Sequence, residues 1–213
     1  ARGRADLIFP TSLAKVTSLR IGSLGNVASR LGSSGMPYFL PLLLQLPLGY
    51  SPAQAGMMLV PIALASMLAK KLVTVLVSRY GYRRVLIGNT LSLGALMVSF
   101  ALVDSGTPIW FVLILMSLYG LFNSLQFSAM NTLALRDVTA SQASSANSLL
   151  SMVQMTAVSL GLGAAAMVLN AYSDYFAAGV GNGDLINAFR AAFVTLGLVT
   201  MASSYVFARL PKK

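Results

Sequence analysis

Long apolar stretches separated by short polar breaks dominate the sequence. Six stretches reach the roughly 20 mostly apolar residues that a helix needs to cross a bilayer. They cover residues 21–46, 54–77, 85–103, 109–135, 145–171 and 187–208. Turn-forming residues mark the breaks, for example in the run Gly49-Tyr50-Ser51-Pro52, where Ser51 is predicted to cap the second helix. The pattern predicts an all-α integral membrane protein whose domain is a six-helix bundle over residues 21–208.

Composition changes the picture by excluding several classes of function. Hydrophobic residues make up 56% of the chain and charged residues 9%, against about 25% charged in a soluble domain. The chain has no cysteine and no histidine, which excludes disulfides, thiol nucleophiles and the usual zinc site. It also has no glutamate, and none of its five aspartates lies in the middle of an apolar stretch. Catalysis by paired carboxylates has no basis here, so we expect neither an enzyme nor a cofactor.

The charged residues are sorted between alternate breaks. One set of breaks, together with both ends of the chain, holds most of the 15 Lys and Arg residues, among them Arg79, Arg83, Arg84 and Arg136. The intervening breaks hold Asp104, Asp174 and Asp184, and their first cation is Arg190. The positive-inside rule predicts that both termini are cytoplasmic. The cations form no basic helix face, so the net charge of +10 favours lipid head groups of the bilayer and not nucleic acid as the partner.

The two ends of the chain differ from the apolar stretches. Residues 1–20 mix cations with apolar side chains such as Leu7, Ile8 and Phe9, and they are too short and too charged to span a bilayer. They are predicted to be a cytoplasmic segment on the membrane surface, and residues 209–213 a cytoplasmic tail. The chain starts without a methionine or a signal peptide, so we expect it to continue a longer protein.

The break after the second stretch resembles a signature of the major facilitator superfamily, G-x-x-x-D-R/K-x-G-x-R/K-R/K, over residues 74–84. Ser78 stands where the signature has aspartate, and Thr74 stands where it has its first glycine. This degenerate form favours the C-terminal half of such a transporter, and the missing carboxylate weakens the expected gating role of the loop. The residues of this cytoplasmic loop motif are Ser78, Arg79, Gly81, Arg83 and Arg84.

Further segments resemble the drug:proton antiporter family with 14 spans, namely residues 37–45, 49–56, 58–61 and 143–151. Within that family, residues 82–86 and 127–133 are most similar to exporters of the MdtD type. The resemblance implies a 3+3 inverted repeat in the bacterial inner membrane, with an N-terminal half as partner. It also implies a small amphipathic substrate and proton-coupled export by alternating access.

Polar residues on the first stretch are candidates for the lining of a cavity. Asn26, Arg30 and Ser34 follow Gly22 at four-residue intervals and form one stripe on a helix. Arg30 lies about ten residues, or about 15 Å, from the cytoplasmic end. A cation at that depth costs at least ~2.5 kcal/mol, and the chain has no carboxylate inside the membrane to pair with it. Two interpretations stay open, a functional cavity residue and a structural strut bonded to carbonyl groups.

Two further stripes are candidates for the same cavity. Ser66 and Lys70 share a face of the second stretch, although Lys70 and Lys71 could both reach the head groups instead. Asn123, Phe127 and Asn131 form a stripe on the fourth stretch, suited either to an amphipathic ligand or to hydrogen bonds between helices. On the fifth stretch, a polar face formed by Asn147, Ser151 and Gln154 is followed by Gly161 and Gly163, and these residues favour close helix packing.

Three functions therefore stay open. The leading one is the C-terminal half of a proton-coupled exporter of amphipathic drugs. Because Arg30 and Lys70 are both cationic, a transporter of organic anions or metabolites with the same fold is the second. A membrane scaffold or an inactive six-helix fragment, which does not transport, is the third. The spans offer no histidine or carboxylate as a proton carrier, so any such carrier is expected outside this chain.

Overall fold

The computed structural model describes residues 17–180 and 185–209, and this part of the chain contains helices and turns but no strand. The predicted surface segment lies outside the described residues up to position 16, and the predicted tail lies outside them from position 210. The α-helices, numbered in chain order, are α1 Thr17–Ser33, α2 Met36–Gln45, α3 Pro52–Ser99, α4 Ile109–Leu135, α5 Ala143–Tyr175 and α6 Leu185–Ala208. Short 3-10 turns follow α3 at Phe100–Leu102 and precede α5 at Ala140–Gln142, and α5 continues into a π-helical turn at Phe176–Val180.

Five helical stretches of the described chain are long and apolar enough to cross a membrane. They are Pro52–Ala69, Lys71–Leu102, Ile109–Leu135, Ala140–Ala178 and Leu185–Ala208. The first predicted stretch, residues 21–46, is not among them because it is divided into α1 and α2 at Ser34 and Gly35. Pro37, in the first turn of α2, has no backbone N–H to continue the hydrogen bonds of α1. The described helices therefore have a membrane-spanning character, with one span broken near its middle.

The second and third predicted stretches join in α3, which is kinked at one residue. Gly81 has φ 78° and ψ 158°, a conformation that glycine adopts readily because it has no Cβ. We call residues 52–80 the first arm of α3 and residues 82–99 its second arm. At the start of the first arm, Gln54 N–H donates to Ser51 Oγ over 3.3 Å, and Ser51 N–H donates to Gln54 Oε1 over 2.9 Å. Ser51 thus caps the helix as the sequence predicts.

The apolar core is most extensive at the end of the bundle that holds α2. Phe39 of α2 meets Phe193 of α6 edge to face, with 5.5 Å between the ring centroids. Phe100 stacks on the same Phe193 ring at 5.6 Å. All three rings are fully buried, so α2, α6 and the 3-10 turn after α3 are fixed against one another there. Aromatic pairs of this kind add about 0.5–1.5 kcal/mol each to the burial of their surface.

The single cation among the acid-bearing breaks has an acidic partner. A guanidinium nitrogen of Arg190, in the first turns of α6, lies 3.5 Å from Asp104 Oδ2 in the turn after α3. The same guanidinium donates to Asn187 Oδ1 over 3.4 Å. The pair joins the turn after α3 to the start of α6. It compensates the charge of Arg190, the cation that lies on the side of the chain where the breaks otherwise carry aspartates.

Glycines let the helices approach closely at some contacts and not at others. A Cβ on Gly197 of α6 would lie 2.8 Å from the carbonyl oxygen of Gly94 of α3. A Cβ on Gly161 of α5 would lie 2.5 Å from the carbonyl oxygen of Arg30 of α1. Gly163 has no such neighbour within 4 Å, so the sequence-based prediction of a close contact there is wrong. Gly163 is two residues further along the helix, which turns it away from α1.

The two glycines of α5 provide a matched test of the α1–α5 contact. We expect Gly161→Ala to lower the unfolding temperature of the purified full-length protein, because overpacking against a backbone carbonyl costs about 1–3 kcal/mol. Gly163→Ala adds its methyl group to open space, so it should leave stability unchanged or raise it by about 0.5–1 kcal/mol through the helix preference of alanine. Thermal unfolding in detergent measures both. Equal shifts for the two variants would contradict this contact.

Candidate functional site

A cavity of about 380 Å³ opens between α1, the first arm of α3 and α4. Its lining combines one cation, several hydroxyl and amide groups, an aromatic ring and a thioether. The lining residues are Ser29, Arg30, Ser33, Ser66, Asn123, Ser124, Gln126, Phe127 and Met130. Four of the residues that the sequence analysis nominates lie around this one space, from three different helices. We call it the Arg30 cavity.

Arg30 supplies the charge of the cavity. Its guanidinium carbon lies 5.1 Å from the centroid of the Phe127 ring, a cation–π contact worth about 0.5–2 kcal/mol depending on desolvation. Its Nε donates to Asn26 Oδ1 over 3.2 Å, one helical turn away. The ion pairs of the described residues join Arg136 to Asp137 and Arg190 to Asp104, and neither includes Arg30. The charge is therefore held in place by a ring and an amide, without a carboxylate among the described residues.

Asn26 and Ser34, the neighbours of Arg30 on its stripe, lie outside the cavity lining. Asn26 is fully buried one helical turn before Arg30, and its Oδ1 accepts the hydrogen bond from Arg30 Nε. Ser34 lies in the break between α1 and α2 and packs towards Gly161 of α5. Asn26 Nδ2 and Ser34 Oγ are both buried without a hydrogen-bond partner among the described residues. Asn26 therefore positions Arg30 and does not line the cavity.

The break in α1 is stabilised by a hydrogen bond from α4. The carbonyl of Ser33 would accept from the N–H of residue 37 in a continuous helix, but residue 37 is a proline. The hydroxyl of Tyr119, a buried residue of α4, donates to this carbonyl over 3.3 Å. This bond satisfies the carbonyl that the proline leaves free and fixes the wall of the cavity that contains Ser29 and Ser33.

Ser66 lines the cavity, but its hydroxyl donates to backbone carbonyls and not into the cavity. Its Oγ lies 2.7 Å from the carbonyl oxygen of Ile62 and 3.0 Å from that of Gly120. Ser124 Oγ in turn donates to the carbonyl of Ser66 over 3.0 Å. These bonds fasten the first arm of α3 to α4, so Ser66 is primarily a structural residue of the cavity wall. Asn123, by contrast, is exposed at the cavity.

Asn131 is another nominated residue that does not line the cavity. Asn131, one turn beyond Phe127 on α4, accepts a hydrogen bond at Oδ1 from Nε2 of Gln154 on α5. It therefore connects two helices, which is the alternative that the sequence analysis left open. The side chain of Lys70 lies outside the described residues, so its direction stays a prediction.

Gln126 is a cavity residue that the sequence analysis missed. Its Oε1 accepts from Asn89 Nδ2 over 2.6 Å, and its Nε2 donates to Thr90 Oγ1 over 2.7 Å. Asn89 Nδ2 also donates to the carbonyl of Phe122 over 2.9 Å. All three polar side chains of this network are buried, so the amide orientation of Gln126 is fixed by the second arm of α3. The signal in the sequence was a pair of amide residues in the middle of two apolar stretches.

The loop-motif residues surround the kink of α3. Gly81 makes the kink itself, and Ser78 Oγ donates to the carbonyl of Val75 over 2.9 Å. The guanidinium of Arg79 lies 5.5 Å from the Tyr80 ring centroid. Arg83 is half-buried and Arg84 is exposed. Within the described residues, the three arginines of the motif form no ion pair with a carboxylate.

Comparisons with known proteins identify relatives along the whole chain. It is 38% identical over 211 residues to the "Putative multidrug resistance protein MdtD" of Cronobacter sakazakii, which covers 99% of this chain and 45% of that protein. The protein of the same name from Serratia proteamaculans is 35% identical over 211 residues, covering 99% of this chain and 44% of the relative. The one from Escherichia coli K12 is 34% identical over 213 residues, covering 99% and 45% respectively. The chain thus spans less than half the length of these relatives.

A family model provides the broader assignment. The model described as Major Facilitator Superfamily matches residues 22–213, which include all described helices from near the start of α1 to the end of α6. The all-helical bundle, its membrane-spanning stretches and the cavity between α1, α3 and α4 agree with this match. The chain belongs to the major facilitator superfamily, a family of membrane transporters and not of enzymes.

Proposed function

We propose that this chain is the C-terminal six-helix half of a secondary transporter that exports amphipathic drugs in exchange for protons by alternating access. The observation that carries the proposal is the Arg30 guanidinium, which faces a cavity between apolar helices and is held by Phe127 and Asn26. A cation at such a place is costly, and within the described chain it has no acidic partner. The names of the relatives, which describe multidrug resistance proteins, support the substrate class.

The lining of the Arg30 cavity suits an amphipathic molecule of moderate size. Its volume of about 380 Å³ lies in the usual range for small-molecule sites, ~300–1,000 Å³. Phe127 and Met130 form an apolar side, and the flexible thioether of methionine adapts to differently shaped ligands. Asn123 and the guanidinium of Arg30 form a polar side. A molecule with an aromatic part and a polar part could use both sides at once.

We also propose the setting in which the cavity works. An N-terminal half of the same transporter would complete the cavity and supply a counter-charge for Arg30, or the substrate would supply it. The bundle would lie in the bacterial inner membrane with both ends of this segment in the cytoplasm. The Arg190–Asp104 pair supports this orientation, because it compensates the cation that departs from the positive-inside pattern.

The positive charge of the cavity favours one alternative specifically. Arg30 would attract organic anions or metabolites better than it attracts cationic drugs, and the relatives' names do not state a charge. Competition between anionic and cationic dyes in the export assay separates the two substrate classes. A scaffold or an inactive fragment predicts no export in any condition, provided that the full-length protein reaches the membrane.

The role of Arg30 can be tested by substitution in the full-length protein. We expect Arg30→Ala to reduce dye export from efflux-deficient cells at least about tenfold, because a hydrogen bond from a charged group contributes about 1.5–3 kcal/mol. Arg30→Lys should retain part of the activity, since it keeps the charge but not the planar contact with Phe127. Arg209→Ala is the control, because Arg209 is exposed and stacks on Tyr205 at 5.2 Å, outside the cavity. Unchanged export and coupling in Arg30→Ala, at normal membrane levels, would refute the proposed role.

Proton coupling yields a separate expectation for this chain. Because the chain has no histidine and its six predicted apolar stretches contain no carboxylate, we expect Lys70→Met and Lys71→Met to retain dye exchange driven by an imposed pH gradient in vesicles. Dye movement down its own gradient, measured without a pH difference, is the control for intact transport. A single substitution in this chain that abolished the pH-driven exchange but preserved downhill movement would place the proton carrier here instead.

A further inference from the structure

A second cavity of about 400 Å³ lies at the C-terminal end of the first arm of α3. It is bounded by the last turns of that arm, by Tyr82 just after the kink, and by the end of α4 at Arg136. We call it the Arg136 cavity. We propose that it binds the phosphate group of an anionic phospholipid, with the glycerol and acyl portion against the neighbouring valines. This proposal does not depend on the transported substrate.

The backbone explains why polar groups meet at this place. Thr74 and Ser78 are one helical turn apart and share a face of the first arm. The left-handed conformation of Gly81 then redirects the chain, so that Tyr82 lines the same cavity from the start of the second arm. Arg136 follows the last residue of α4, where its N–H donates to the carbonyl of Leu133 over 3.2 Å. One cation and four hydroxyl-bearing side chains thus converge from two helices.

The available hydrogen-bond donors fit an anion with several oxygens. Ser78 and Thr132 already donate to backbone carbonyls of their own helices, each over 2.9 Å. The hydroxyls of Thr74 and Tyr82 make no protein hydrogen bond among the described residues, so they can donate to a ligand. Together with the guanidinium of Arg136 they offer charged and neutral donors, and such a combination is typical of phosphate recognition.

The nearby carboxylate does not neutralise this site. Asp137 Oδ1 lies 3.7 Å from Arg136 Nε, and both side chains are more than half exposed. An exposed pair at that distance is weak and contacts only one edge of the guanidinium. Among the described residues, no ion pair or hydrogen bond uses the terminal nitrogens of Arg136, so they can bind a phosphate. Asp137 does set a limit on affinity, because it repels an approaching anion, and this favours a ligand that gains additional energy from apolar contacts.

Apolar walls distinguish a phospholipid from free phosphate. Val73 and Val77 line the same cavity as the polar groups. A soluble phosphate would gain nothing from these side chains, whereas the glycerol and acyl carbons of a lipid would cover them. Arg79, Arg83 and Arg84 flank the kink and would concentrate anionic lipids around it, by about 1 kcal/mol for each cation near the surface.

Lipid binding to the purified full-length protein in detergent tests the proposal. Native mass spectrometry would compare phosphatidylglycerol with phosphatidylcholine of the same acyl chains. We expect the wild-type protein to prefer phosphatidylglycerol, Arg136→Gln to reduce that preference about tenfold, and Thr74→Val to reduce it less. Arg209→Gln is the matched control, since it removes an exposed cation outside the cavity, and it should retain the preference. An equal loss in Arg209→Gln would show unspecific attraction and overturn the site.

Two further measurements distinguish a lipid site from a site for soluble phosphate and from a loss of folding. Glycerol phosphate at millimolar concentration should not displace the lipid if the acyl contacts matter, and full displacement would indicate a site for soluble phosphates instead of lipids. Thermal unfolding of each variant without lipid checks folding, and Thr74→Val provides the evidence if Arg136→Gln is unstable. No substrate or gradient is present, so a failure here leaves the proposed transport function untouched, and a failure of transport leaves this result valid.

Discussion

A backbone carbonyl buried in a membrane needs a hydrogen-bond donor, and the carbonyl of Ser33 loses its regular donor because residue 37 is a proline. The hydroxyl of Tyr119 replaces it, which ties the end of α1 to the middle of α4. The break that follows at Ser34 and Gly35 separates α1 from α2. This single constraint places the last turn of α1 beside Phe127's helix and thereby creates one wall of the Arg30 cavity.

Close contacts with α5 then fix that wall of the cavity. Association of helices in a membrane relies on packing and hydrogen bonds, because lipid is as apolar as the side chains. Gly161 of α5 allows contact with the backbone of Arg30 itself, while Asn26 holds the guanidinium from one turn below. On the opposite wall, Ser66 and Gly120 connect α3 to α4 by a hydrogen bond. The charge and the ring of Phe127 are therefore kept together by fixed helices on both sides.

The sequence could predict the helices and part of the site for a clear physical reason. Apolar stretches and sorted charges reveal the membrane spans without any knowledge of contacts. The degenerate family signature indicates which half of a transporter these spans resemble. Four-residue stripes nominate Arg30 and Phe127, and the structure brings both to one cavity, but each step of four residues turns by about 40° on a helix. Asn131 is two steps from Asn123, a drift of about 80°, and it bonds to Gln154 of α5. Asn26 is one step from Arg30 and is fully buried outside the cavity lining. Gln126 lies off such a stripe, and only the packing of α3 against α4 reveals it.

Most buried polar groups of the described helices have hydrogen-bond partners, and the few that lack one lie at particular places: two near Arg30, one at Asn89 of α3 and one at Arg190 of α6. Many hydroxyls in the spans, such as those of Thr90 and Thr200, donate to carbonyls of their own helix and are energetically neutral there. Near Arg30, by contrast, Asn26 Nδ2 and Ser34 Oγ are buried without a partner among the described residues. Each such group costs about 1–3 kcal/mol, but neither lines the cavity, so a ligand there does not reach them. The guanidinium of Arg30 does line the cavity and has no acidic partner among the described residues. A ligand or a second bundle that contacts Arg30 therefore gains more than one that contacts a hydroxyl already satisfied by its own helix.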